Sequence, residues 1–472
     1  MKTKWLHWTL ALAFGAFAMS ACGDDKKEEE EEEFDCFNDE GEPYAIGSAS
    51  PITGAGGTSI FAKDATPVAI FEINRHCGIL GSATEAGVPL AITELDTQGS
   101  VTTAQAVTQQ LVDAGVKAMT GIGANDTTAP NANIPVAAGV LLGTYIGTQD
   151  SLSGCSAAQL ADGAITKSPT PSNAANTCWD NHGYHFRLSH RTFDWGRTVV
   201  QRGIDVNPTA TRAAIMTASN PTGDAVKRGI VARAAAAGFG TIPESGITAS
   251  PTVDEFKTIL QTITTNDPQV IFGYVPQQNV RQLAEAYSQL KADTTWGAKP
   301  ASFNTVKFYL APPTYGTDYS NVSAAALAFL ASNQMESVGV NFDLAWPGTE
   351  AYARILADYD PTKVIESVQT LRNFDMYFLF SLAITKVGAD ADAATLAQAV
   401  RDLANGPGEV VYPDDYEHAR DLIFQGVDID YEGASGRVEF DDRGDAQGLV
   451  YNNVLVQTNG IPLWTTTPIT VQ

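Results

Sequence analysis

Asp428-Ile429-Asp430-Tyr431-Glu432-Gly433, with Glu439 further on, has the spacing of a calcium-binding loop, in which oxygen ligands recur around a glycine turn. Two features argue against calcium. Ser435 stands where such loops carry an aliphatic side chain, and the flanks alternate like strands instead of showing helical periodicity. His182, His185 and His190 lie close to Cys178, a mixture found at metal sites. His185, however, precedes Phe186-Arg187 in what reads as a strand, whose neighbouring side chains alternate faces and do not converge. No Gly-x-Ser-x-Gly elbow, His-Glu-x-x-His pair or phosphate-binding loop occurs. Acidic neighbours such as Asp441-Asp442 are numerous in so acidic a chain, and adjacency alone selects none. The expectation is a protein with no resident metal, no cofactor and no catalytic residues, an extracellular α/β hydrolase being the disfavoured alternative.

What remains is the chemistry of hydrogen-bond donors held by loops. Thr53-Gly54, Asn125 with Thr127-Thr128, and Gly147-Thr148 follow apolar runs, and each Asn or Thr among them offers a donor. Asp126 would repel an anion there and suits helix capping instead. Tyr274 and Gln277, after another apolar run, could supply a wall and a polar contact; Trp195 and Trp346 suit core or hinge packing better.

Such loops need a frame. From Tyr44 onward, short apolar runs alternate with longer segments of helical spacing, the pattern of a parallel sheet covered by helices on both faces. Strands are expected at 44–50, 89–95, 116–122 and 140–146, with helices at 68–75, 102–114 and 127–138. A second series follows, with strands at 212–218, 269–275 and 306–310 and helices at 223–237, 253–264 and 280–292. Residues 150–184 between them are rich in Ser, Pro, Ala and Asn and read as a surface excursion. Helical spacing returns at 324–332, 349–359 and 374–387, the last apolar nearly all round and so expected to be buried. In such α/β sheets ligands bind at the carboxyl ends of strands, which selects the loops 51–58, 123–128 and 147–149.

The N-terminus opens with Lys2 and Lys4, an apolar run from Leu10 to Met19, and the small residues Ser20 and Ala21 before Cys22, the layout of a secretory signal. The net charge of −25 becomes −27 once residues 1–21 are removed, which disfavours nucleic acid and anionic membrane surfaces as partners. The run Glu28 to Glu33 can bury nothing and reads as a solvated tether within 22–43. Of the other four cysteines in this exported chain, sequence proximity pairs Cys155 with Cys178 and leaves Cys36 for Cys77.

Four stretches resemble, in order, the branched-chain amino-acid (Leu/Ile/Val)-binding family of type I periplasmic binding proteins, the receptors of ABC importers: 45–57, 71–81, 95–123 and 430–445. The last is similar to the family's Gly-x-x-Gly turn followed by Phe440-Asp441 and Gly444-Asp445. Met19-Ser20-Ala21-Cys22 likewise resembles the bacterial lipobox, with Met19 in place of the usual Leu, which implies lipidation at Cys22 and a periplasmic or cell-envelope location. The family resemblance implies two Rossmann-like lobes joined by three crossovers, 44–187 with 312–430 and 188–311 with 431–472. It implies a monomer that captures a small polar ligand, amino-acid-like, an amide or an organic acid, and delivers it to an ABC permease in the inner membrane. A receptor that senses the ligand for signalling is the alternative. Residues 124–128 correspond to the loop that binds the ligand's carboxylate, and Gly147-Thr148 to a second contact. Thr222 stands where the family has an aromatic that closes over the ligand, a departure that puts a standard amino-acid ligand in doubt.

Overall fold

The computed structural model describes residues 37, 42–54, 57–80, 86–161, 165–174, 176–240, 242–297, 299–312, 318–332, 334–447 and 451–469. The expected signal segment, Cys22, the acidic run and Cys36 lie outside the described residues.

The first sheet is built from β1 (Tyr44–Ser50), β2 (Leu90–Asp96), β3 (Ala118–Gly121), β4 (Leu141–Thr144) and β5 (His185–Arg187) in the order β2-β1-β3-β4-β5, all parallel. Its helices are α1 (Ala65–Arg75), α2 (Val101–Asp113) and α3 (Asn125–Asn131). Ser100 starts α2 by accepting from the Thr103 amide, which satisfies one of the donors a helix start leaves free. Burial on both faces explains the apolar runs: Ile46 and Leu141 pack toward α1, whereas Ala49, Met119 and Leu142 pack toward α2.

The chain then crosses through α4 (Thr192–Val206) into a second sheet. This contains β6 (Ala213–Ala218), α5 (Pro221–Ala236), β7 (Glu244–Ile247), α6 (Val253–Ile263), β8 (Val270–Tyr274), α7 (Val280–Ala292), β9 (Lys307–Ala311) and β10 (Met335–Val340). It crosses back through α8 (Pro347–Tyr359), α9 (Val368–Val387) and α10 (Ala393–Ala404) to a hairpin of β11 (Ile429–Gly433) and β12 (Gly436–Arg437). A last crossing adds β13 (Tyr451–Val456) and β14 (Pro462–Ile469), so the second sheet reads β14-β13-β10-β9-β8-β6-β7. Both β13 and β14 are antiparallel to their neighbours. Ala214 and Met216 face α6 and α7, and Ala213 and Ile215 face α4 and α5, so this sheet too is covered on both sides.

The type I periplasmic-binding fold expected from the sequence is present, and α9 is buried almost throughout. The grouping of segments differs in two places. Residues 335–340 fall in the stretch assigned to the first lobe but join the second sheet, because β10 bonds to β9 and to β13. Conversely, Ala434, Val438, Phe440 and Ala446, assigned to the second lobe, pack into the core around α9. The expected helix 127–138 is two short helices, α3 and a five-residue helix at Asn133–Ala137. Cys155 and Cys178 are disulfide-bonded with their Cα atoms 5.0 Å apart, and they pin the excursion at 150–184. Cys77 is also disulfide-bonded.

Candidate functional site

The loops expected to hold a ligand do lie at the carboxyl edge of the first sheet, and side chains tie them together. The β1–β2 register sets Ser50 opposite Asp96, whose carboxylate accepts from the amides of Ile52 (2.9 Å) and Thr53 (3.2 Å) and from the Thr53 hydroxyl. Burial pushes the Asp96 carboxyl up, but bonds from Thr53, Gln98 and Ile52 outweigh it and hold the group below its ordinary value. Gly54 adopts φ +83°, and a Cβ there would lie 2.3 Å from the Gln98 carbonyl oxygen, so the turn demands glycine.

Beyond β3, Gly121, Ile122 and Gly123 all adopt positive φ, which turns the chain sharply into α3. Thr127 donates to the Ala124 carbonyl (2.9 Å) and Thr128 to that of Gly123 (2.7 Å), so both hydroxyl protons are used inside the loop. Ala124, not Asp126, occupies the N-cap; Asp126 sits in the first turn. Asn125 reaches across to the next loop: its carbonyl accepts from the amides of Thr148 (2.6 Å) and Gln149 (3.0 Å), and its amide donates to the Thr148 hydroxyl (2.9 Å). Asn125 and Thr148 are thus brought together as one structure. The Gly147 carbonyl accepts from Ser189 (2.7 Å) and the Thr148 carbonyl from the Thr192 amide (2.7 Å), linking both loops to the first crossing.

On the second sheet Asn220 caps α5 by accepting from Gly223 (2.8 Å), placing half-buried Thr222 in the first turn. Tyr274 ends β8 with its ring 6.5 Å from Trp195, and Gln277 begins a short turn just after it. The halves meet where Arg228 of α5 pairs with Asp150 at 2.9 Å.

Most of the groups in the metal-like patterns have ordinary partners, and His190 has a ring contact only. Residues 429–437 form a hairpin in which Glu432 accepts from Arg437 at 3.0 Å. His185 is buried against Trp179 and bonds Thr144 (3.0 Å), and His182 lies by Asp180 (3.5 Å). His190 has its ring 4.3 Å from Trp195.

Sequence reasoning missed two sets of residues. Arg187 and Asp445, both buried, form an ion pair with Nε–Oδ1 at 2.8 Å, which joins the first crossing to the approach of the third. Asp445 was legible only as part of the Gly444-Asp445 signature, without its role. Arg372 on α9 is buried and donates from Nη1 to the Tyr145 carbonyl, just beyond β4 (3.3 Å). Burial lowers its pKa to about 10, so it stays cationic at neutral pH. A charged residue in a helix apolar all round was the signal that could have flagged it. Two cavities elsewhere on the molecule, one lined by Asp64, Tyr352 and Thr370 and one by Lys386, Arg401 and Asp428, include no residue of the predicted loops. Among the described residues no helix is long and apolar enough to cross a membrane.

The sequence profile of a family described as periplasmic binding protein matches residues 43–408. No curated protein matches the chain. Among solved structures, an ABC transporter substrate-binding protein from Desulfitobacterium hafniense superposes with a TM-score of 0.60 at 16% identity, covering 90% of this chain and 100% of that one. The branched-chain amino acid transporter substrate-binding protein LivJ from Streptococcus pneumoniae, in complex with isoleucine, gives 0.54 at 13%, covering 90% and 100%. A solute-binding protein from R. palustris in complex with benzoate gives 0.54 at 13%, covering 91% and 98%. At such identities the likeness is one of fold.

Proposed function

The chain belongs to the periplasmic binding protein family, and from that premise we propose that it captures a small polar solute between its two α/β halves and hands it unchanged to an ABC permease. The observation that carries this is the joining of the loops after β3 and β4 by Asn125, at a strand edge that faces the second half across the Asp150–Arg228 pair. Strand-end loops held rigid in this way keep the shape of the wall fixed while the halves move, so that binding energy goes into closure. Thr53, Gly54, Asn125, Thr127, Thr128, Gly147 and Thr148 form the first wall; Thr222, Tyr274 and Gln277 form the second. The departure at Thr222 opens the range from amino acids to amides and organic acids. The protein works as a monomer outside the cytoplasmic membrane, tethered by lipid at Cys22, and has no catalytic step.

Native mass spectrometry of freshly purified protein tests this. The expected result is a small molecule that leaves on denaturation with its mass unchanged; release of a chemically altered product would refute the non-enzymatic reading.

A further inference from the structure

Among the described residues three arginines are fully buried: Arg187, Arg372 and Arg420. Two of them have carboxylates: Arg187 holds Asp445, and Arg420 lies 3.6 Å from Asp421. Arg372 has none within ion-pairing distance among the described residues, and its Nε and Nη2 have no hydrogen-bond partner. Those two atoms form the edge of a guanidinium that grips a carboxylate with two parallel bonds. Arg191 uses the same edge on Asp194, with Nε and Nη2 at 2.8 and 3.0 Å from the two oxygens.

Further unpartnered polar groups lie within reach of the Arg372 charge, which acts on His190. Both ring nitrogens of buried His190 and the indole nitrogen of Trp195 lack partners, and the two rings are 4.3 Å apart. Burial, and after it the charges of Arg372 and Arg187, hold the His190 imidazole neutral, well below its ordinary pKa, so one of its nitrogens is a donor and the other an acceptor. The cluster lies between the halves: Arg372 bonds the carbonyl after β4, Trp195 stacks toward Tyr274 at the end of β8, and His190 lies 6.1 Å from Tyr451 at the start of β13. The neighbouring carboxylates are already occupied. Asp375 accepts from Tyr431, Ala434 and Ser435, and Asp194 and Asp445 are held by arginines. A buried cation with no carboxylate in contact, acted on by Asp375 only at longer range, opposes folding until an anion arrives to meet it.

We infer that Arg372, with His190 and Trp195, is a carboxylate subsite at the base of the cleft between the halves, which takes the acid group of the captured solute in place of the loop 124–128, where the Thr127 and Thr128 hydroxyls donate to the loop's own carbonyls. This rests on the solute capture proposed above and adds to it both the ligand class and the residue that selects it. The ligand is an organic carboxylate, gripped by the Nε–Nη2 edge once the halves open to admit it.

The test is equilibrium dialysis of the purified full chain against a mixture of aliphatic and aromatic monocarboxylates, dicarboxylates and amino acids, and separately against the matching primary amides. Retained species are identified by mass spectrometry, for the wild type and for Arg372→Gln and Arg372→Met, and ligand-free melting temperatures are taken alongside. The expected result is a retained carboxylate whose affinity falls by more than about tenfold in both variants, the least that loss of a charge-assisted hydrogen bond commands. Both ligand-free variants should melt at or above the wild type, because an unmatched buried charge has gone. Preference for an amide, a loss of tenfold or less, or variants melting well below wild type would overturn the subsite while solute capture stands. Retention of nothing from either mixture would overturn capture itself and the subsite with it.

Discussion

Replacing Asp445 with Asn removes the counter-charge of a guanidinium that has no route to water. Arg187 and Asp445 are both buried, with Nη2–Oδ1 at 2.6 Å, and the Ser153 hydroxyl accepts from Arg187 (2.6 Å) while donating to Asp445 (2.7 Å). Loss of one partner of a buried pair costs about 3–5 kcal/mol, because the remaining charge is neither paired nor hydrated. Urea unfolding followed by tryptophan fluorescence should show Asp445→Asn destabilised by that amount. Joint replacement with apolar residues, Arg187→Met with Asp445→Leu, should recover most of the loss, since no charge then stays behind. The pH dependence follows with its sign. Burial pushes the Asp445 carboxyl up, but Arg187 and Ser153 outweigh it and hold it below its ordinary value. A depressed acid stabilises the fold above its unfolded pKa of about 4 and loses that contribution as pH falls through the lower folded value. The gap between wild type and Asp445→Asn should therefore be flat from neutrality down to about pH 5 and close only below about pH 4. A variant within about 1 kcal/mol of wild type at pH 7 would refute the assignment of this pair as the tie between the crossings.

Asp375 should behave in the opposite sense. Burial raises its pKa to about 6 against bonds from Ser435, Tyr431 and Ala434, so stability should fall by about 3 kcal/mol as pH rises from about 4 to 6, then level off. That slope in the urea midpoint should be absent from Asp375→Asn. Reduction or double serine replacement of Cys155–Cys178, 23 residues apart, should cost about 2–4 kcal/mol and expose the excursion to protease. Thr127→Val and Thr128→Val should each lower stability by about 1 kcal/mol, since each deletes a hydroxyl-to-carbonyl bond within the loop. An unchanged melting temperature in both would show that those bonds contribute nothing.

The parts of the fold legible in the sequence are those whose burial is decided locally. Residues 212–218 and 269–275 were expected as strands and are Ala213–Ala218 and Val270–Tyr274, because a parallel strand covered on both faces must be apolar throughout. β10 reads Met-Glu-Ser-Val-Gly-Val, and its Glu336 is met by Arg202 from α4 at 2.7 Å. No local pattern announces that pairing, so the strand and its place in the second sheet were missed. β13 and β14 fail for a related reason, since their polar Asn and Thr residues sit at an antiparallel edge that no helix run precedes.

The candidate site divides along the same line. Loops after strands follow from topology, so Asn125, Thr127, Thr128, Gly147 and Thr148 could be named, but not which hydroxyls would be turned inward to brace the turn. Arg187, Arg372 and Asp445 act through partners 258 residues away for the ion pair and 227 for the Tyr145 carbonyl, distances over which spacing carries no information. The expected helix 374–387 began just past Arg372; in fact α9 starts at Val368, capped by Ser367. That displaced start hid the one cation the helix carries into the core beside the crossings. Arg187 is matched by its own chain and Arg372 is not, and this difference separates a residue that holds the halves together from one that waits on a ligand. It also predicts opposite stability changes on removing charge at the two positions: a loss where Asp445 is neutralised, and a gain or none where Arg372 is.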